Sequence, residues 1–165
     1  MTYLEIAQAI QDSSFGAALH ESRIAFPVVE GIHLIGLAAS FGILIFVDLR
    51  LLGLLLRDVP VERIVLSLRR WLFAGFAVTF ASGALLFWAE AGDMAQNKPF
   101  LIKVGLMLAA LINAIVFDRR FDRPATATEP LVLSPKVAQL AGGLSLGLWV
   151  LVTVAGRLIP YYPKY

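Results

Sequence analysis

The stretch that most constrains this chain is Glu30 to Arg50, EGIHLIGLAASFGILIFVDLR, an almost unbroken apolar run with a glutamate and a histidine near its start. In water such a run would aggregate, whereas in a bilayer it has the length needed to cross the hydrocarbon. His33 is one of two histidines in the protein and the only one inside an apolar run. An imidazole at that depth is expected to face protein, water or a cofactor, because an ionisable group turned to lipid is costly.

Three further apolar stretches follow, and composition explains why they are read as crossings. The chain is 59% hydrophobic and 16% charged, against roughly 45–50% and about 25% for soluble domains. The expected crossings are about 24–56, 71–91, 99–117 and 137–159. Pro27 and Pro99 suit first turns, where the missing N–H costs nothing. Trp71 and Trp88 sit where interfacial aromatics belong. Ile64, Val65 and Leu68 form a helical lead-in to the second crossing. The fold class is therefore all-α: one integral membrane four-helix bundle over residues 1–165, with an interfacial amphipathic segment at the N-terminus. In that segment Leu4, Ile6, Ile10 and Phe15 make one face, and Ser13 or Ser14 caps its second helix. The linker DRRFDRPATATEPLVLSPK is long for a helical hairpin and is expected to be irregular.

Charge sets the topology. The first and third connections carry Arg57, Arg63, Arg69, Arg70, Arg119, Arg120, Arg123 and Lys136. The positive-inside rule puts both connections in the cytoplasm and both termini outside, in the periplasm if the membrane is a bacterial inner membrane. Net charge is +2 with the basic residues clustered between apolar segments, a pattern of membrane topology rather than nucleic-acid binding. Without cysteine there is neither a disulfide frame nor a thiolate metal site. No cleavable signal peptide is expected, and the sequence carries no phosphate loop, no nucleophile elbow and no HExxH.

This topology gives the polar residues a depth. Glu30 lies one turn above His33 on the same helical face. Gly36 and Ser40 lie below it, and small residues there would leave room for a planar ligand. Lys103 enters from the same side one turn below Pro99, with Met107 a turn deeper. Arg157 sits near the outer end of the fourth crossing. Asp48, Arg50, Asn113, Asp118 and Arg119 form a second polar set at the inner side, accounted for by ion pairing and headgroup contact. An imidazole in a helical bundle is an ordinary axial ligand for haem iron, with methionine or another base opposite. Two other readings stand beside haem: a hydrogen-bonded packing histidine, and a carboxylate–histidine metal site of Glu30, His33 and Glu90. For Lys103 the choice lies between an inward role and reaching out to the headgroups.

IHLIGLAASFGILIFVDLRLLGL, WLFAGFAVTFASGALLFWAEA, NKPFLIKVGLMLAALINAIVF and LWVLVTVAGRLIPYY together resemble an uncharacterised bacterial family of four-span membrane proteins. DLRLLGL and KPFLIK are the most specific segments. That family is distantly similar to the copper-resistance D family and to the haem-containing bacterial protoporphyrinogen oxidase. The resemblance implies functional roles for His33, as a haem ligand, and for Lys103. SFGILIF stands where the oxidase has a tryptophan-rich first-helix motif.

The resulting expectation is a small cytochrome-like protein, with haem b near the periplasmic side and electron transfer or a haem-dependent oxidoreductase reaction as its chemistry. His33 would ligate the iron and Glu30 would orient the imidazole. Lys103 or Met107 would stand opposite, and Lys103 or Arg157 would pair with a propionate. Gly36 and Ser40 would line the ligand. Its partners would be lipid, haem, and a second copy or a redox protein. The alternative is a cofactor-free accessory subunit or small transporter, in which the polar cluster only holds helices together.

Overall fold

The computed structural model describes residues 1–121 and 134–162, apart from the side chains of 120 and 121. The linker expected to be irregular lies largely at 122–133, outside the described residues. The described residues form helices and contain no strand: α1 (Tyr3–Gln11), α2 (Ser14–Glu21), α3 (Ala25–Leu51), α4 (Val61–Ala89), α5 (Ala91–Gln96), α6 (Lys98–Phe121) and α7 (Pro135–Leu158). Four spans are long and apolar enough to cross a membrane: Ala25–Leu51, Val61–Ala89, Lys98–Arg119 and Pro135–Tyr161.

Helix ends explain where the observed spans depart from the expected ones. The first crossing stops at Leu51 rather than near Leu56, because Gly53 takes a left-handed φ of +75°. Gly53 N–H then donates to the Arg50 carbonyl at 3.0 Å and Leu54 N–H to the Leu49 carbonyl at 2.9 Å. That pair of bonds satisfies carbonyls the helix would otherwise leave open. The second crossing begins ten residues earlier than expected, since the lead-in and the span are one helix that starts after Pro60. At about 1.5 Å per residue, its 29 residues exceed a hydrocarbon core of about 30 Å. Arg63, Arg69 and Arg70 thus lie on helical backbone rather than in a loop. The polar connection before Pro99 holds a further short helix, α5.

The N-terminal helices cap this end of the bundle. Thr2 and Glu5 form a capping box: Thr2 Oγ1 accepts from Glu5 N–H at 3.3 Å and the Glu5 carboxylate accepts from Thr2 N–H at 3.0 Å. Ser13 is the cap of α2, accepting from Gly16 N–H at 3.2 Å. α1 rests on α5 through Ala7, Ala91 and Ala95. Gln11 Oε1 accepts from Gly92 N–H at 2.9 Å, supplying a partner for an orphan donor at the start of α5. Trp88 donates its indole N–H to Ser13 Oγ at 3.0 Å, and its ring meets Phe15 edge-on.

The long helices form two tight pairs, α3 with α4 and α6 with α7, joined where α3 meets α7. Among the described residues α4 and α6 bring no Cα atoms within 8 Å of each other. Side chains fill that interval. Leu44, Ala110, Trp149 and Val152 make the core, with Phe76 of α4 packed 4.8 Å from the Trp149 ring. Phe87 stacks on Phe100 at the end nearest α5, with ring centres 5.6 Å apart. Arg69 and Asp118 pair at the other end at 2.7 Å. Asn113 donates to the Ala141 carbonyl at 3.1 Å, tying α6 to α7.

Candidate ligand site at His33

His33 is oriented by the neighbouring helix rather than by its own. Its Nδ1 lies 2.9 Å from the Thr79 carbonyl oxygen and 3.1 Å from Ser82 Oγ. A carbonyl only accepts, so Nδ1 carries the hydrogen and donates it to Thr79. Ser82 Oγ directs its own hydrogen to the Val78 carbonyl at 2.6 Å, which leaves its lone pairs toward the ring. In the neutral ring this tautomer leaves the lone pair on Nε2. Among the described residues Nε2 has no hydrogen-bond partner. It is not sealed in either: among the described residues the buried side-chain N or O atom without a partner is Asp48 Oδ2.

Two glycines make room for the two basic groups of the site. A Cβ at Gly83 would fall 3.1 Å from His33 Cε1, so the ring occupies the place a side chain would take. A Cβ at Gly156 would fall 3.6 Å from Lys103 Nζ. Lys103 therefore runs along α7, half-buried, in the inward role. Lys103 and Glu30 are the charged groups whose fields act on the His33 ring. His33 belongs to the α3–α4 pair and Lys103 to the α6–α7 pair, so the site bridges the two.

Other expected site residues fall elsewhere. Gly36 is closed against α4, where a Cβ would come within 2.9 Å of Thr79 Oγ1 and 3.0 Å of Val78 Cγ1. Ser40 is fully buried at 0% exposure, donates to the Gly36 carbonyl at 2.8 Å, and faces Gly75. The space foreseen there for a planar ligand is filled by α4, and the small residues serve helix contact instead. Glu30 is exposed and makes no hydrogen bond to the ring; Thr79 and Ser82 take the orienting role expected of it. Met107 packs into the Leu44–Trp149 core. Arg157 lies over the Tyr161 ring at 5.9 Å. Among the described residues no three His, Asp or Glu side chains come together to hold a metal ion, so Glu30, His33 and Glu90 do not form the three-ligand metal site considered from sequence.

Thr79, Ser82, Gly83 and Gly156 join the site in the structure without having been singled out for it in the sequence. Thr79, Ser82 and Gly83 stand at i, i+3 and i+4, one face of a helix, and that spacing was the available signal.

A model of the family of unknown function DUF6644 matches residues 16–162. The chain belongs to that family. The matched region contains all four spans together with His33, Thr79, Ser82, Gly83, Lys103 and Gly156, while α1 precedes it. No curated protein and no solved structure matches the chain. The similarity to the copper-resistance D family and to the oxidase thus finds no support in these comparisons, and what stands for this DUF6644 member is membership of a family without assigned function.

Proposed function

We propose that this DUF6644 protein binds haem b through Nε2 of His33 and serves as a small membrane redox or electron-transfer protein. The observation that carries the reading is the state of the imidazole: Nδ1–H is engaged by the Thr79 carbonyl at 2.9 Å, and Nε2 is left free. Metal-bound histidines ordinarily donate their second N–H to a carbonyl or carboxylate, which fixes the tautomer and raises ligand basicity. A bound haem would supply reversible one-electron chemistry at its iron. Thr79 and Ser82 would hold the ring at a fixed angle, and Gly83 would keep its edge clear. Lys103 would be the other residue to hold the haem, as a ligand or a propionate partner, since Met107 is engaged in the core. Arg157 would be a second propionate partner. In this reading the protein sits in a bacterial inner membrane, with its basic connections inside and both termini in the periplasm. It works beside lipid, with a second copy or a redox protein as its electron partner.

A cofactor-free role, as accessory subunit or small transporter, is favoured by one observation: the tight seating of Gly36 on Thr79 and of Ser40 on Gly75. An optical spectrum separates the two. Protein purified from haem-replete cells is expected to be red, with a Soret band that changes on reduction. His33→Ala should abolish the band while the protein still inserts, and Lys103→Met should shift it if Lys103 is the opposite ligand. Colourless wild-type protein would favour the cofactor-free role.

A further inference from the structure

Another ionisable group lies inside the spans, at the opposite end of α3 from His33. Asp48 is 3% exposed, three residues before the helix ends, and its Oδ2 has no hydrogen-bond partner. The sequence placed it in a set of mutually paired charges, and the structure removes it from that set. Arg50 is turned away, donating through Nε to the Val59 carbonyl at 3.0 Å. Arg69 of α4 and Asp118 of α6 bind each other at 2.7 Å. From α7 the group reaching the carboxyl is the hydroxyl of Ser145, and Lys136 at the start of that helix is exposed. Among the described residues no charged side chain acts on Asp48.

A Cβ at Gly142 would meet Leu51 Cβ at 2.8 Å and the main-chain carbonyl of Asp48 at 3.1 Å, so α3 and α7 approach closely at this residue. One carboxyl and one hydroxyl are too few for a hard cation, which takes about six oxygens or more. A buried carboxylate without an ion-pair partner is among the costliest groups to bury. The proton is the ligand that this environment suits.

We propose that Asp48 is a proton-binding site at the junction of the two helix pairs, closed while the carboxyl holds its proton and opened when the proton leaves. Loss of the proton creates a charge that only water or movement can relieve, and α3–α7 is the contact that joins α3–α4 to α6–α7. Proton release at Asp48 therefore loosens the α3–α7 contact. The site is independent of whether His33 binds haem.

Isotope-edited infrared spectroscopy of the full chain in lipid nanodiscs tests this. At neutral pH the wild type should show a protonated-carboxyl stretch that shifts when aspartate alone is labelled with carbon-13. Asp48→Asn should lose that band, and raising the pH should remove it from the wild type. Hydrogen exchange around Gly142, corrected for its intrinsic pH dependence, should accelerate in the wild type as the band disappears and stay flat in Asp48→Asn. A wild type with no aspartic-acid band at neutral pH would overturn the proton site, and this reading needs no variant to fold. Equal acceleration in Asp48→Asn would overturn the link between the proton and the helix junction.

Discussion

The α3–α4 contact and the α4–α6 interval are built from opposite materials. α3 and α4 meet through Gly36 against Thr79 and Gly75 against Ser40, so that each helix fills the place of the other's missing side chain. α4 and α6 are held apart by whole side chains: Phe87 on Phe100 near one end, Arg69 to Asp118 at the other. His33 stands at the boundary between these regimes, its Nδ1 fixed by the closed contact and its Nε2 left without a partner. Small residues in a membrane bundle therefore mean two things. Where they face a neighbouring backbone they shut the interface, and where they face a long polar side chain, as at Gly83 and Gly156, they seat it.

The largest effect is expected from forcing a side chain into the closed contact. Gly36→Leu should destabilise the bundle by about 1–3 kcal/mol, the usual range for overpacking. Gly105→Leu on α6 serves as its counterpart, since a Cβ there meets nothing within 4 Å. Its effect should stay within about 0.5 kcal/mol. Thermal unfolding of both in detergent measures the contrast, and equal losses would erase it.

Gly83→Val should act on the site more than on the fold, because its Cβ falls 3.1 Å from His33 Cε1. The ring must tilt off the Thr79 carbonyl, at a stability cost of about 1 kcal/mol, the size of one such hydrogen bond. Haem titration against the wild type reads the consequence, with affinity expected to fall while helicity is kept. Unchanged affinity would mean that the ring is not held there.

Smallest of all should be the Arg69–Asp118 pair. Its side chains are 34% and 38% exposed, so solvent screening reduces its worth. A double-mutant cycle with Arg69→Ala and Asp118→Asn should give a coupling of about 0.2–1 kcal/mol, weaker still in high salt. A much larger coupling would make this pair, rather than the aromatic stack, the principal link across the interval.

Much of this architecture could be read in the chain beforehand, for reasons that differ from element to element. Four crossings follow from four apolar runs, because each must hide its own backbone polarity in lipid. The end of α3 was legible in principle: Gly53 interrupts LRLLGLLL, but inside an apolar run a glycine cap looks like one more packing residue. α5 was not legible, since six residues carry little periodicity and the side chain capping its N-terminus, Gln11, comes from the far end of the sequence. At the site, the depth of His33 was visible while its partner was not. Thr79 contributes a backbone carbonyl, and no side-chain pattern announces which carbonyl of another helix will accept a bond. Gly36 and Ser40 could be read in two ways, because a stripe of small residues has the same spacing whether it faces a ligand or a helix.

The central claim is that the free nitrogen of His33 has a ligand. Haem b per chain, measured on wild-type protein and on His33→Ala purified from haem-replete cells, tests it most directly. The account predicts stoichiometric haem in the wild type and none in the variant, with both inserted and helical. A folded wild type without haem, or a variant that keeps its full complement, would contradict it.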